Sequence, residues 1–194
     1  MMRPASMLTG YTGRWRLAQA GYRWIVAAAM WGLAAAVLAE NQHVRGFEAW
    51  LASHIVAAGA GTATNYSARL AVVWFTVSTH GSTQTVAGLQ ITAECTVALL
   101  IPPFLLMTGI AVWLRRKPSA WPLVALAVSV ALLVLVNQLR LLAVVWFIQG
   151  MGMRAGYYWG HTMVGSLITI LGLAATLLVY APLIVSRGGA SGRR

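Results

Sequence analysis

The chain has 194 residues, of which 59% are hydrophobic and only 9% are charged. A soluble domain carries about 25% charged residues, so this composition excludes an ordinary water-soluble domain. The formal net charge of +11 does not indicate a nucleic-acid partner, because nucleic-acid-binding proteins place their basic residues on a polar face beside an ordinary core. Here the basic residues flank long apolar runs, and the length fits one integral membrane domain over residues 1–194.

Four apolar stretches are long enough to cross about 30 Å of hydrocarbon, which takes about 20 helical residues. They cover residues 22–39, 96–114, 119–139 with a continuation to 147, and 162–185. They predict an all-α fold, a polytopic membrane helix bundle with about four spanning helices. The small residues that end the first stretch at Ala39 would also suit a signal peptide, but its long apolar run and extended basic lead favour a span.

The basic residues form three clusters, which all fall on one side of the membrane if the chain crosses it four times. The clusters are Arg3, Arg14, Arg16 and Arg23, then Arg115, Arg116 and Lys117, then Arg187, Arg193 and Arg194. Lys and Arg collect on the cytoplasmic side, so both termini are expected inside. Residues 1–21 are then a basic cytoplasmic lead, and the Gly/Ser/Arg-rich residues 186–194 are expected to be a disordered tail.

Residues 40–94 form the outer-face segment in this topology, and their pattern is mixed. Six residues fall on one helical face and predict an amphipathic helix at the membrane interface. They are Phe47, Trp50, Leu51, His54, Ile55 and Ala58. Residues 70–77 are β-branched and aromatic but too short to span, and residues 86–91 follow a predicted turn at His80-Gly81-Ser82. The pattern fits a short hairpin and also a re-entrant helical pair.

Three residues that are distant in the sequence are expected at one membrane depth. Cys95 lies where the second span leaves the outer surface, and His161 lies where the fourth span begins. Arg140 follows Ser119 by about 30 Å of helix at 1.5 Å per residue, which also brings it to the outer end. A lone cysteine is usually an inert packing residue. An arginine in a spanning segment usually faces a functional cavity, although near the surface it can extend to water.

These three side chains together would complete an acyl-transfer site. Only a thiolate attacks well, and a neighbouring histidine or arginine favours it. Cys95 is then the nucleophile, His161 the base and later the acid, and Arg140 the group that stabilises an oxyanion. Asn137 lies one helical turn before Arg140 and could hydrogen-bond the guanidinium or a substrate carbonyl.

The same elements resemble the exosortase/archaeosortase family of membrane cysteine transpeptidases. The matching segments are Ile91-Thr92-Ala93-Glu94-Cys95, Asn137-Gln138-Leu139-Arg140 and His161-Thr162-Met163-Val164-Gly165. Their order is the family's order of Cys, Arg and His, with an asparagine three residues before the arginine, and the resemblance covers about residues 86–179. Many members follow the cysteine with Ser-Gly, whereas this chain continues with Thr96-Val97, so the subfamily and the substrate are left open.

The resemblance implies a function that needs no cofactor or metal. Such enzymes process membrane-anchored proteins that end in a sorting signal, which is a short motif, a membrane helix and a basic tail. Cleavage would pass through a thioester, and the product would go to a lipid or glycan acceptor, or to water. The catalytic core is expected at residues 95–185, and substrate binding is expected at Asn137 and Glu94. The resemblance implies a prokaryotic cytoplasmic membrane, and the predicted topology places the site on its outer face.

Two rival functions stay open at this stage. The first is a metal-dependent membrane hydrolase using His43, His54, His80 and Glu48, although the familiar zinc-ligand spacings are missing. The second is a membrane scaffold or transporter subunit without enzymatic activity. Pro102-Pro103 would kink the second span, as in transporters and also in ordinary spans.

Overall fold

A computed structural model describes residues 8–78, 84–115 and 119–185. Its elements in chain order are α1 (Leu8–Ala39), α2 (Asn41–Ala60), β1 (Thr64–Ser67), β2 (Val72–Ser78), β3 (Gln84–Gln90), two 3-10 turns (Ala93–Cys95 and Val97–Leu99), α3 (Ile101–Leu114), α4 (Trp121–Tyr157), a π-helical turn (Tyr158–Val164) and α5 (Gly165–Val185). The basic residues at 187, 193 and 194, the predicted tail and the His80-Gly81-Ser82 turn lie outside the described residues.

Within the described residues, three helical stretches are long and apolar enough to cross a membrane. They are Gly21–Ala39, Val97–Leu114 and Trp121–Val185. This agrees with the predicted helical membrane bundle. The third stretch has 65 residues, far more than the roughly 20 that one crossing needs, and it holds both α4 and α5.

The helices α4 and α5 pack side by side and run antiparallel. Gly172 lies against Val136, Gly165 against Arg140 and Gly160 against Val144. Residue numbers therefore increase along one helix as they decrease along the other, which is the antiparallel arrangement. The reversal includes Gly152, whose φ of +79° is a conformation that glycine adopts without strain. Small residues at these contacts allow the two backbones to approach closely.

A three-stranded antiparallel sheet in the order β1-β2-β3 follows α2. Phe75 pairs with Ala87 and Val73 with Leu89, and these side chains are buried on one face of the sheet. The helical bundle is therefore present as predicted, and residues 64–90 add a small sheet to it. The hairpin alternative is the one present, and the re-entrant helical pair is wrong. The alternation of β-branched and aromatic residues in Val72–Ser78 explains this outcome, since such residues suit a pleated, half-buried surface.

The helix α2 matches the amphipathic helix predicted for this segment, and its large apolar side chains point outward. Phe47 is 54% exposed and Trp50 is 41% exposed. The opposite face is buried and consists of small residues, Val56 and one carboxylate, Glu48. An outward aromatic stripe is what a helix lying at a membrane interface presents to the lipid.

The buried hydrophobic residues in the described part of the chain form two clusters, and Cys95 and Val97 belong to one cluster each. One contains Ala49, Ala52 and Val56 of α2, the buried face of the sheet, Cys95 and residues 141–148 of α4. The other joins α1, α3, α4 and α5 and contains Val97, Phe104, Leu133 and Tyr180. Residues 95–97 therefore connect a sheet-containing cluster to a membrane-spanning cluster.

Candidate active site

Backbone hydrogen bonds fix Cys95 at the end of a short connection from the sheet. Ile91, directly after β3, is fully buried, and its N–H donates to the Ala71 carbonyl at 2.8 Å. The next turn is a 3-10 helix in which the Cys95 N–H donates to the Thr92 carbonyl at 3.0 Å. Cys95 is only 6% exposed, so the connection from the sheet places a nearly buried sulfur at the end of the long helices.

The structure brings the three predicted reactive side chains together. The Cys95 Sγ lies 3.1 Å from the His161 Nε2, and the Arg140 Nη2 donates to the same sulfur at 3.7 Å. Arg140 is 8% exposed, and His161 is half-buried. The expected juxtaposition is present, while the chemical roles of the three residues stay predictions.

The neighbours of His161 orient its ring and its helix. Tyr157 stacks on the imidazole, with ring centroids 4.9 Å apart and an interplanar angle of 13°. The histidine belongs to the π-helical turn Tyr158–Val164, and such turns are frequent at functional sites. One turn later, a side chain at Gly165 would begin 3.1 Å from the Arg140 Nε. A bare backbone there leaves room for the guanidinium.

Sequence reasoning missed the part that Glu48 plays next to this site. The carboxylate is 1% exposed, and it accepts hydrogen bonds from the Val97 N–H at 3.1 Å, from the Asn137 Nδ2 at 2.6 Å and from the Thr96 hydroxyl. Burial raises the pKa of Glu48, and these hydrogen bonds partly oppose the rise. A lone carboxylate on the small-residue face of α2 was the signal available in the sequence.

The two residues assigned to substrate binding differ in their surroundings. Asn137 is 7% exposed and is engaged by Glu48. Glu94 is exposed and interacts electrostatically with His161. Their substrate roles stay predictions, and in this state the Asn137 amide joins α4 to α2.

Gln138, inside the predicted motif, is another buried polar residue. It is 2% exposed, and neither amide atom has a hydrogen-bond partner among the residues described. Buried polar groups are nearly always paired, so this amide stands out in an apolar span.

The residues of the rival metal site do not converge. His43 pairs with Glu40 at 2.9 Å, and the His54 Nδ1 lies 2.8 Å from the Trp50 carbonyl. His80 is outside the described residues. Within the described ranges, no three His, Cys, Asp or Glu residues are grouped so that they could hold a metal ion.

Comparison of the chain with protein-family models, with curated proteins and with solved structures finds no match.

Proposed function

We propose that the protein is a membrane-embedded cysteine transpeptidase or endopeptidase, similar to the exosortases and archaeosortases. The observation that carries the proposal is the placement of the only cysteine sulfur between a histidine nitrogen at 3.1 Å and a buried guanidinium nitrogen at 3.7 Å. A buried charge needs compensation, and a cysteine that only packs does not need two such neighbours.

The proposed reaction begins with transfer of the thiol proton from Cys95 to the Nε2 of His161. The sulfur attacks a peptide carbonyl carbon, and Arg140 stabilises the oxyanion that forms next to the sulfur. The C–N bond then breaks, and His161 returns the proton to the leaving amine. An acceptor hydroxyl or amine, or water, next loses its proton to His161 and attacks the thioester carbon. The C–S bond breaks, and the thiolate takes the proton back.

The position of the site favours a substrate that is anchored in the same membrane. Residues 95–97 lie where the sheet-containing cluster meets the cluster of spanning helices. A protein with a short motif before its own membrane helix would present that motif at this depth. Confinement to the bilayer plane raises the effective concentration of the two partners.

The proposal includes four crossings, with the site on the outer face of a prokaryotic cytoplasmic membrane. The antiparallel packing of α4 and α5 supports two crossings within the 65-residue apolar stretch. The three basic clusters then share the cytoplasmic side.

The test is co-expression of a tail-anchored substrate with the wild type and with three variants at matched membrane levels. We expect Cys95→Ala to abolish cleavage, because no nucleophile remains, and His161→Ala to lower it at least about a hundredfold. His54→Ala is the matched control, since His54 is exposed on α2, and it should cleave at the wild-type rate. Wild-type cleavage by Cys95→Ala would overturn the proposal.

A further inference from the structure

One buried carboxylate joins three parts of the chain around the candidate site. Glu48 comes from α2, Thr96 and Val97 directly follow Cys95, and Asn137 lies one turn before Arg140 on α4. All three partners donate to Glu48. The carboxylate is thus linked both to the backbone that carries the thiol and to the helix that carries the guanidinium.

We propose that Glu48 is a positioning residue, which holds Cys95 against Arg140 and His161. The inference rests on the proposed function in one respect, which is that Cys95 is the nucleophile. The hydrogen bonds of Glu48 within the described residues go to Thr96, Val97 and Asn137 and not to the sulfur, so its effect would pass through these neighbours.

The backbone around Cys95 needs such an anchor. Thr96 is extended, with φ −101° and ψ 149°, between two 3-10 turns, so regular helical hydrogen bonds do not fix this position. The Thr96 hydroxyl accepts from the Ala98 N–H at 3.1 Å and donates its own hydrogen to Glu48. The hydrogen bond from the Thr96 hydroxyl and the one from the Val97 N–H therefore hold both residues that follow Cys95 against the Glu48 carboxylate.

A carboxylate suits these partners better than its neutral amide would. Two carboxylate oxygens accept three hydrogen bonds here. In Glu48→Gln, an NH₂ donor that replaced the oxygen facing Thr96 would leave the hydrogen of the Thr96 hydroxyl without its acceptor. The pair would have to rearrange, although the volume of the side chain is unchanged.

The experiment uses Cys95 as its own reporter, because the chain has no other cysteine. The full-length protein in detergent is alkylated with iodoacetate and with iodoacetamide, and intact mass gives the two rates. The ratio of the iodoacetate rate to the iodoacetamide rate reports the proximity of Arg140 to the thiol, because the guanidinium attracts the anionic reagent. A general change in the exposure of the thiol alters both rates equally and leaves their ratio unchanged. We expect the ratio of the wild type to exceed that of the denatured protein, and Arg140→Gln should remove this excess.

The variants Glu48→Gln and Glu48→Ala should lower the ratio at least threefold, toward the denatured value. Thr96→Val should lower it in the same direction, and it keeps the test informative if the Glu48 variants do not fold. Thr108→Val is the matched control, since it breaks a buried 2.7 Å hydrogen bond to Tyr180 in the membrane cluster and should leave the ratio unchanged.

The result that overturns the inference is a wild-type ratio in folded Glu48→Gln and Thr96→Val, or a wild-type protein with no excess over the denatured chain. Because the assay uses no substrate, its outcome is independent of peptide cleavage. Wild-type cleavage by Cys95→Ala would overturn the proposed function and leave the alkylation result standing.

Discussion

At the residue scale, the guanidinium of Arg140 distinguishes this site from that of an ordinary buried cysteine. An arginine near a membrane surface can extend its side chain to water, but Arg140 is 8% exposed and turns toward the sulfur. Its planar fork can hold two acceptor atoms at once, whereas a lysine ammonium is a single point charge.

The first prediction is that Arg140→Lys loses most activity while the protein still inserts and folds. The charge is retained, so only the fork geometry is lost, and loss of one oxyanion donor costs about a hundredfold or more in rate. Cleavage of a tail-anchored substrate at matched membrane levels measures this. Arg115→Lys is the matched control, because Arg115 contacts the Ile184 carbonyl at the other end of α3. A lysine variant with the wild-type rate would make Arg140 a positional charge.

The second prediction concerns the unpaired amide of Gln138. Gln138→Leu keeps a similar volume and removes two buried polar atoms without partners among the residues described. Such groups cost about 1–3 kcal/mol, so the variant should melt at a higher temperature in the same detergent. Gln90→Leu, at an exposed strand position, should show no such gain. A lower melting temperature for Gln138→Leu would mean that the amide is satisfied.

At the element scale, the packing of α5 on α4 brings His161 to Arg140 and Cys95. Gly172, Gly165 and Gly160 lie where side chains would separate the two helices. The predicted reversal fell between residues 147 and 162, and Gly152 within that interval has positive φ. The lengths of the apolar runs are enough to predict a helix on each side of the reversal, but the glycine contacts depend on tertiary packing.

The third prediction is that Gly172→Ala destabilises the pair, because its methyl group would overlap the side chain of Val136. Overpacking costs about 1–3 kcal/mol, which thermal melting in detergent would measure. Val136→Ala in the same chain should restore much of the loss. Gly150→Ala, with no atom within 4 Å of its added carbon, is the control. Equal melting temperatures for Gly172→Ala and Gly150→Ala would contradict this packing.

The site was predictable to the extent that it depends on helix rise and membrane depth. Those two quantities place Cys95, Arg140 and His161 at one level, and the structure brings them into contact. The hydrogen bonds of Glu48 and the stacking of Tyr157 were not predictable in this way, because they depend on how α2 and the π-helical turn pack. The hairpin was predicted only as one of two alternatives, because a short apolar run such as the seven residues of β2 does not distinguish a strand from a helix.

At the scale of the whole molecule, one described buried cluster lies among the helices of spanning length and the other lies around the sheet. The cluster around the sheet includes residues of α2 and extends along residues 141–148 of α4. Arg23 donates to the Arg115 carbonyl at 2.6 Å, so the start of the apolar stretch within α1 meets the end of α3.

The fourth prediction is a four-crossing topology with both termini inside. Reporter fusions after Arg116 and after Arg194 should both read cytoplasmic, and a fusion near Ser82 should read external. The physical reason is that all three basic clusters then remain on the cytoplasmic side. An external signal at Arg116 would contradict the topology and would separate the proposed site from an outer-face substrate.

The most direct test of the central claim is the detection of an acyl-enzyme on Cys95. Purified wild-type protein is mixed with a tail-anchored substrate, the reaction is quenched in acid, and the intact mass of the protein is measured by mass spectrometry. We predict an adduct whose mass matches the substrate fragment before the cleaved bond, located on Cys95 and released by hydroxylamine as a thioester should be. Cys95→Ala should form neither adduct nor product. Cleaved product from Cys95→Ala at the wild-type rate would contradict the account.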